Sequence, residues 1–332
     1  MRFLLTGATG FIGLNLAERL VGGGARVRAL VRDPSRGEEL ARLGAELAPG
    51  DVTDPRSTAA AVDGCDVVIH LAGLVKAISR QELFRVNVEG TRHLARACVD
   101  ARPRPRLVLV SSLAAAGPAS PGRPRREEDR PAPVSLYGES KLAAERVVQD
   151  LAGRVEATVV RPPLVYGPRD KELLPPLFRM ARAGLIVKAG FREKHYSAVH
   201  VADLADGILA AAERGRAVGA SGDEGIYFLA DGSEHTWEQV CRAAAEALGA
   251  SPRVLAVPEV ASYLVAAGSA VFSGFTGRPA MLSFDKMAEI RQSAWTCAID
   301  RAARELGYSP RYLLAEGMRQ SAEWFRSRGL LR

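Results

Sequence analysis

Hydrophobic positions in the first half of the chain follow two patterns that alternate. Short apolar or alternating runs are typical of strands, and longer runs with an apolar residue at every third or fourth position are typical of helices. Strand-like runs cover residues 3–5, 26–31, 45–48, 66–71, 107–110 and 157–160. Helical patterns cover residues 11–21, 38–43, 83–99 and 135–151. Strands separated by helices predict βαβ units with right-handed crossovers, and therefore a doubly wound parallel sheet of the α/β class.

The alternation becomes less regular after residue 165. Helical patterns continue at residues 172–183, 201–214, 236–248, 258–272 and 312–328, with a short strand-like run at 226–229. Residues 118–133 are rich in proline, glycine and charge, which predicts a surface loop. We therefore predict a first domain over residues 1–165 and a smaller mixed lobe over residues 166–332, interleaved with the last strands of the sheet.

Composition is ordinary for a globular protein. The 332 residues are 47% hydrophobic and 25% charged, which allows a large buried core. The formal charge of +7 could attract an anionic partner. The arginines, however, are scattered or separated by prolines, as in residues 102–106 and 123–126, and are not interleaved with aromatic residues. We therefore expect no nucleic-acid binding.

Signals for membranes, metals and disulfides are weak. No apolar run reaches the roughly 18 residues of a transmembrane helix. The nearest approach, residues 260–275, is interrupted by serines and glycines. Peripheral contact with a membrane stays an open alternative. The N-terminus shows no signal-peptide pattern. The cysteines lie far apart and without CxxC spacing, at Cys65, Cys98, Cys241 and Cys297. These features predict no metal site, no disulfide framework and a reduced, cytoplasmic location.

Glycines occupy the turn between the first strand and the first helix, at Gly7, Gly10 and Gly13 of the segment TGATGFIG. Glycines allow a tight turn and a close approach to a pyrophosphate, which the N–H groups of the following helix attract. The alternative is an ordinary strand–helix turn whose glycines serve packing. Because ligands bind at the carboxyl ends of parallel strands, the residues that follow the strands should share one crevice. They are Gly7, Arg32, Asp51, Ala72, Gly73, Ser111 and Ser112.

The end of the second strand bears on the choice of dinucleotide. An acidic residue about 20 positions after the glycine turn usually binds the ribose hydroxyls. Here Arg32 stands where the chain leaves the strand, and a guanidinium can hold a 2′-phosphate with two hydrogen bonds. We therefore favour NADP(H) over NAD(H). In the alternative, Arg32 is a solvated loop residue and Asp33 binds the ribose.

Tyr137 and Lys141 are four positions apart on a predicted helix, so their side chains point the same way. A tyrosine with a pKa near 10 is a poor acid–base group at neutral pH, but a nearby ammonium lowers that pKa. Tyr137 could then exchange a proton with a substrate hydroxyl or carbonyl, while Ser112 holds the same oxygen. The predicted catalytic residues are therefore Ser112, Tyr137 and Lys141.

These motifs together resemble the extended short-chain dehydrogenase/reductases of the NAD-dependent epimerase/dehydratase type. The resemblance covers nearly the whole chain. The segments that carry it are TGATGFIG (6–13), Asp51-Val52, HLAG (70–73), NVEGT (87–91), Ser111-Ser112, YGESK (137–141), RPPLVYGP (161–168), HVADLA (200–205), WTCAID (295–300) and ELGYSP (305–310). It implies a Rossmann sheet in the first domain, a substrate-binding role for most of the second, and a homodimer through residues 82–99 and 135–151.

The resemblance also implies roles for individual residues. Five would line the pyrophosphate: Gly7, Gly10, Phe11, Ile12 and Gly13. Asp51 and Val52 would contact the adenine. Leu71, Ala72 and Gly73 would run along the cofactor with Asn87 nearby, Lys141 would also bind the nicotinamide ribose, and Pro163 would flank the nicotinamide. Purely structural roles are the alternative for four polar residues. Asn87 could brace the sheet, His70 could be a packed strand residue, His200 could be a structural hydrogen-bond partner, and Ser111 could face the sheet.

Within this family the segments 111–118 and 30–34 are most similar to those of the 3β-hydroxysteroid dehydrogenase and dihydroflavonol reductase branch. The resemblance implies an NADP(H)-dependent oxidoreductase that interconverts a secondary alcohol and a ketone on a fairly apolar small molecule. The apolar residues between Val260 and Phe275 could line its substrate pocket or simply pack the lobe. The main alternative is a nucleotide-sugar epimerase or dehydratase with tightly bound NAD(H). A non-enzymatic NADP(H) sensor would not need the three catalytic residues.

Overall fold

A central parallel sheet organises the molecule, and the computed structural model describes residues 1–258 and 284–331. The described strands are β1 (Arg2–Thr6), β2 (Arg26–Val31), β3 (Glu46–Pro49), β4 (Val67–His70), β5 (Arg106–Val110), β6 (Ala157–Arg161), β7 (Leu164–Tyr166), β8 (Leu185–Ala189), β9 (His195–Tyr196), β10 (Ala198–His200), β11 (Ile226–Phe228), β12 (His235–Thr236), β13 (Arg253–Val257) and β14 (Ala294–Trp295). The central sheet has seven strands in the order β11-β6-β5-β4-β1-β2-β3, and every pair in it is parallel. The strand order reverses between β1 and β4, which opens a crevice at their carboxyl ends. This is the predicted Rossmann sheet.

Helices cover both faces of the sheet. The described helices are α1 (Phe11–Gly22), α2 (Glu38–Leu43), α3 (Pro55–Val62), α4 (Arg80–Phe84), α5 (Gly90–Asp100), α6 (Leu113–Ala116), α7 (Leu136–Gln149), α8 (Leu174–Arg182), α9 (Val201–Arg214), α10 (Trp237–Glu246), α11 (Phe284–Ile290) and α12 (Leu314–Ser327). Leu5 and its neighbours on one face pack against α1, α2 and α9. Leu4 and the alternate strand residues pack on the other face against α3, α5 and α7. Strands buried on both sides explain the continuous apolar runs in the sequence.

Two segments of the sheet domain differ from the sequence prediction. The predicted helix 83–99 consists of three segments that follow one another without a gap: α4, a π-helical segment Arg85–Glu89, and α5. Helix α3 was not predicted, because its buried residues Thr58, Ala61 and Val62 are too small to give a strong apolar period. Its local signal is Asp54, which caps the helix ahead of Pro55.

The predicted surface loop at residues 118–133 is irregular, but it is partly buried. Glu127 is 5% exposed, and its carboxylate accepts a hydrogen bond of 3.1 Å from the backbone N–H of Phe228 at the end of the sheet. The loop also forms isolated bridges from Ala119 to Ala294 and from Arg125 to Cys297. It therefore fastens the edge of the central sheet to the C-terminal lobe.

The C-terminal lobe is smaller and mixed, as predicted. Short sheets pair β10 with β7, β9 with both β12 and β14, and β13 with β8. Helices α8, α10 and α12 surround one apolar core that includes Phe178, Val240 and Met318. Strand β11 and helix α9 return to the central sheet, so the two parts interleave. The predicted helix 258–272 lies largely outside the described residues, as do the apolar residues from Val260 to Phe275. The boundary near residue 165 stays a prediction.

The described residues contain neither a disulfide bond nor a helix that could span a membrane. Cys65, Cys98, Cys241 and Cys297 are separate buried thiols. Among the helices in residues 1–258 and 284–331, none combines the length and the apolar character needed to cross a bilayer.

A buried ion pair ties α7 to the sheet. The Arg161 guanidinium donates to both carboxylate oxygens of Glu145, at 2.9 and 2.6 Å, and both side chains are 1% exposed. The Ser111 hydroxyl also donates to Glu145. Ser111 therefore faces the packed interior, which confirms the structural interpretation of this residue. The helix that carries Tyr137 and Lys141 is held at the ends of β5 and β6 by this pair.

We expect Glu145→Ala to destabilise the protein by about 3–5 kcal/mol, because it leaves a buried guanidinium without its counter-charge. The matched control is Glu213→Ala. Glu213 pairs with Arg214 on the surface, with side chains 62% and 52% exposed, and its loss should cost less than about 1 kcal/mol. Urea unfolding of both variants measures the difference. A Glu145→Ala cost no larger than that of Glu213→Ala would contradict the structural role of the pair.

Candidate active site

The turn between β1 and α1 lies directly against the loop that follows β4. Gly7 has a φ of +68°, and a Cβ at this position would be 2.7 Å from the backbone nitrogen of Ala72. A Cβ on Gly13 would be 2.4 Å from the carbonyl oxygen of Gly7. The turn is closed by a hydrogen bond of 3.0 Å from Gly10 N–H to that same oxygen. A side chain at Gly7 or Gly13 would collide with neighbouring backbone atoms. Glycine is therefore required at both positions for lack of space, in addition to the turn geometry at Gly7.

Helix α1 begins at Phe11 immediately after this turn. Its N-cap is Gly10, and no side chain caps it, so the first N–H groups of Phe11, Ile12 and Gly13 are left to an external acceptor. A cradle that admits no side chain, with uncapped helical N–H groups behind it, fits a pyrophosphate. The residues present therefore fit the dinucleotide that the sequence predicts.

His70 holds the two sides of this crevice together. The Ala72 N–H donates to Thr6 Oγ1 at 3.2 Å, and Thr6 Oγ1 is 2.7 Å from His70 Nδ1. On its other side, His70 Nε2 is 3.0 Å from Thr91 Oγ1, which donates to the Asn87 carbonyl at 2.6 Å. Both ring nitrogens are thus occupied, and burial lowers the pKa of His70 to about 3. This confirms that His70 is a packed strand residue.

Asn87 braces the loop after β4. Its Oδ1 accepts from the Leu74 N–H at 2.7 Å, and its Nδ2 donates to the Leu74 carbonyl and to Ser140 Oγ, both at 2.9 Å. A Cβ on Gly73 would be 3.1 Å from Asn87 Oδ1. The side-chain amide is fully used within the protein, which is what the bracing interpretation expects. It keeps Leu71, Ala72 and Gly73 at the edge of the crevice.

The predicted catalytic residues come together at the ends of β5 and α7. Ser112 follows β5 and caps α6, accepting from the Ala114 N–H at 3.1 Å. Ser135 caps α7 by accepting from the Gly138 N–H at 3.0 Å, which places Tyr137 in the first turn and Lys141 one turn later. The Ser112 hydroxyl lies close enough to Tyr137 to lower the pKa of the tyrosine. The helices can approach because a Cβ on Gly138 would meet the Ala114 carbonyl at 2.4 Å.

The electrostatics of Tyr137 differ from the sequence expectation. Burial raises the pKa of Tyr137 to about 12, the hydrogen bond with Ser112 opposes this, and the Glu289 carboxylate adds to it. The Lys141 ammonium donates to the Val110 carbonyl at 2.9 Å. Burial lowers the pKa of Lys141 to about 8. The pKa of Tyr137 is therefore raised by its surroundings, and the pKa-lowering effect of the lysine stays a prediction.

The end of the crevice that the sequence predicts to bind adenosine is formed by residues after β2 and β3. Arg32 is exposed at the end of β2 and, among the described residues, makes no side-chain hydrogen bond or ion pair. Asp33 Oδ1 instead accepts from the N–H and the hydroxyl of Ser35, at 3.0 and 2.7 Å, and these bonds lower the pKa of Asp33. Asp51 Oδ1 accepts from the N–H and the hydroxyl of Thr53, at 2.8 and 2.9 Å. Val52 is buried beside α5.

The remaining predicted positions lie after β6 and β10. Pro163 is partly exposed, and the carbonyl of its neighbour Pro162 accepts from the Leu113 N–H at 2.9 Å, which links β6 to α6. His200 is fully buried; its Nε2 lies 3.1 Å from Gln320 Oε1, and its Nδ1 accepts from the backbone at the start of α9. The structural interpretation of His200 is confirmed.

Sequence reasoning missed the acidic residues that face the start of α7. Ser135 Oγ donates to Glu289 Oε1 at 2.7 Å, and the Leu136 N–H donates to Asp285 Oδ1 at 2.6 Å. Both carboxylates belong to α11, about 150 residues away in the chain, so no local pattern points to them. They complement the positive end of the α7 dipole next to Tyr137.

Comparison with known proteins places this crevice in a family. The family model described as "NAD dependent epimerase/dehydratase family" matches residues 3–226. The chain belongs to this family. The fold and the enzyme class predicted from the motifs, an NAD(P)-dependent short-chain dehydrogenase/reductase, are thereby confirmed.

Individual relatives include two reductases and one solved structure that binds a nucleotide sugar and NAD. The chain is 31% identical to the ceramide reductase of Caulobacter vibrioides, over 98% of this chain and 95% of the relative. It is also 31% identical to the 4-hydroxy-2-methyl-3-oxo-4-farnesyl-3,4-dihydroquinoline-1-oxide ketoreductase of Stigmatella aurantiaca, over 96% of this chain and 95% of the relative. Among solved structures it is similar to MoeE5 in complex with UDP-glucuronic acid and NAD, with a TM-score of 0.76, 26% identity and coverage of 99% and 100% of the two chains.

We expect Gly13→Ala to weaken dinucleotide binding by about tenfold or more, a loss of 1.4 kcal/mol or greater, because its Cβ would meet the Gly7 carbonyl at 2.4 Å. The matched control is Gly22→Ala on the same helix, where a Cβ would meet nothing within 4 Å. Titration of NADPH fluorescence measures both dissociation constants, with circular dichroism as a check of folding. Equal affinities in two folded variants would contradict the cradle.

Proposed function

We propose that the protein is an NADP(H)-dependent oxidoreductase that interconverts a ketone and a secondary alcohol on an apolar small molecule. The observation that carries the proposal is the meeting of Ser112, Tyr137 and Lys141 beside the glycine cradle of β1 and α1. Ser112 follows β5, and Tyr137 and Lys141 lie on successive turns of the single helix α7. This group supports proton exchange at one substrate oxygen.

In the proposed reaction, Ser112 and Tyr137 hold the substrate oxygen. Nicotinamide supplies or takes the hydride when the cofactor is bound. The raised pKa of Tyr137 keeps its hydroxyl protonated at neutral pH, which suits donation of that proton to a carbonyl oxygen. Lys141, with a pKa of about 8, is mostly protonated at neutral pH. Its ammonium has three N–H donors, of which one binds the Val110 carbonyl, so it can also stabilise the tyrosinate left after the transfer and donate to the nicotinamide ribose.

The cofactor preference rests on Arg32 and Asp33. Asp33 Oδ1 already accepts from the N–H and the hydroxyl of Ser35, which leaves one of its two carboxylate oxygens for ribose hydroxyls. Arg32 is exposed and unpaired within the described part of the chain, so its guanidinium is available to a 2′-phosphate. This contrast supports NADP(H) over NAD(H).

The substrate class is inferred from relatives and from one residue after β6. The two reductases of Caulobacter and Stigmatella are named for substrates with long acyl or farnesyl chains, which supports an apolar ketone. The solved MoeE5 complex with UDP-glucuronic acid supports the second candidate, a nucleotide-sugar epimerase or dehydratase with retained NAD(H). Leu164 stands in the region where such enzymes often carry an asparagine, and it packs against the core of the C-terminal lobe. It offers no donor to a sugar diphosphate.

We expect Tyr137→Phe to lower kcat by about 10²–10⁴-fold, the usual contribution of a positioned acid, while the dissociation constant for NADPH changes less than about twofold. The assay follows NADPH absorbance with a panel of acyl, steroid and flavonoid ketones and a UDP-hexose. Tyr308→Phe is the matched control, because the Tyr308 hydroxyl is buried without a hydrogen-bond partner among the described residues.

Survival of ketone reduction in Tyr137→Phe would exclude the acid–base role. If instead the purified protein retains NAD(H) and interconverts the UDP-hexose with no net redox change, the epimerase alternative is correct.

We expect Arg32→Ala to weaken NADPH binding by about ten- to a hundredfold, because charge-assisted hydrogen bonds to the 2′-phosphate each contribute about 1.5–3 kcal/mol. NADH binding should stay within about twofold. Arg26→Ala, at the exposed opposite end of β2, is the matched control. Calorimetric titration with both cofactors gives the selectivity. Tighter binding of NADH by the parent protein, with NADPH unaffected in Arg32→Ala, would make the NADP assignment wrong.

A further inference from the structure

A second cavity of about 780 Å³ lies between α1, α2, α8 and the C-terminal helix α12. None of the residues assigned to the catalytic group or the dinucleotide lines it. We call it the basic cavity, and define it by its cationic rim and its apolar wall. The rim is Arg42, Arg169, Lys171, Arg179, Arg182 and Arg328, and the wall is formed mainly by Phe178, Trp324, Phe325 and Leu330. Its volume is in the range of small-molecule sites.

The acidic residues of the cavity are already engaged. Arg169 is 7% exposed and binds Glu18 and Glu39, each at 2.8 Å, so one cation serves two carboxylates. Asp170 accepts from the backbone N–H groups that begin α8, including Leu174 at 2.9 Å. The carboxylates are therefore not available to the other cations of the rim.

Five rim cations are left without an acidic partner. Within the part of the chain that the structure describes, no ion pair involves Arg42, Lys171, Arg179, Arg182 or Arg328. All five are exposed. Cations gathered around one concave opening raise the local concentration of anions. The charge of the cavity is thus complementary to an anionic ligand.

The wall of the cavity is aromatic and aliphatic. Phe178 and Phe325 meet edge to face at 5.6 Å, and Trp324 meets Phe325 at 5.2 Å. The guanidinium groups of Arg169 and Arg328 lie 5.8 and 5.7 Å from the Trp324 ring. Leu330 follows with 62% of its surface exposed. Apolar surface therefore continues from the buried core to the basic rim.

We propose that the basic cavity binds one anionic amphiphile, an alkyl chain that carries a phosphate or carboxylate head group. The rim would bind the head group and the aromatic wall would cover the chain. A bilayer surface fits less well, because the site is concave and Glu18 and Glu39 lie within it. The site is separate from the proposed reaction, and its occupant would contact both the sheet domain and the C-terminal lobe.

The test titrates the full-length protein with monomeric dodecyl phosphate, kept below its critical micelle concentration, by calorimetry and tryptophan fluorescence. We expect saturable binding of one molecule, with the fluorescence change lost in Trp324→Phe. The double variant Arg179→Gln/Arg182→Gln should bind at least about tenfold more weakly. Its matched control is Arg26→Gln/Arg154→Gln, which removes two exposed arginines outside the cavity that form no ion pair with the described residues. This control should bind within about twofold of the parent. Circular dichroism confirms that each variant is folded.

Comparison ligands separate the contributions of the head group and the chain. Dodecanol and inorganic phosphate should each bind at least about tenfold more weakly than dodecyl phosphate. Equal affinity for either one, or equal affinity of the two double variants, would overturn the proposal. So would binding to phosphatidylglycerol vesicles without any binding of the monomer, since that result would identify a membrane surface. Because binding is measured without turnover, the outcome is independent of the ketone reductase activity.

Discussion

The contact of two backbones at the centre of the sheet is the constraint on which the site depends. The turn after β1 and the loop after β4 meet so closely that neither Gly7 nor Gly13 has room for a Cβ. The hydrogen bonds through Thr6, His70 and Thr91 hold the same two segments in register. Any dinucleotide that binds here does so against a preformed edge, which reduces the ordering cost of binding.

The proposed catalytic residues Ser112, Tyr137 and Lys141 depend on that edge through α7. Burial and hydrogen bonds fix the helix from three sides: Glu145 binds Arg161, Ser135 binds Glu289, and the amide of Asn87 binds Ser140. None of these three contacts uses the side chain of Tyr137 or Lys141, yet together they fix the helix that carries both residues. The high pKa of the tyrosine and the lowered pKa of the lysine share one cause, burial. The site is thus arranged so that the tyrosine carries the proton and the lysine ammonium stands close to the loop after β4.

The sequence predicted the sheet and the glycine turn well because both rest on local patterns. Strand β2 and helix α2 coincide with their predicted residues, since apolar period and flanking glycines define them. Helix α3 was missed because its buried side chains are small. The short sheets of the C-terminal lobe, the approach of Glu289 to Ser135 and the basic cavity depend on residues far apart in the chain. No window of the sequence contains both partners, so local pattern could not reveal them.

We propose that the protein catalyses net reduction of an apolar ketone in this crevice, and not a redox-neutral change in a sugar. The most direct measurement uses NADPH that carries deuterium at both C4 positions with a long-chain ketone, followed by mass spectrometry of the isolated product. The account predicts one deuterium on the carbinol carbon and an equal amount of NADP⁺. An unlabelled alcohol, or unchanged ketone alongside interconversion of a UDP-hexose with no NADPH consumed, would contradict it.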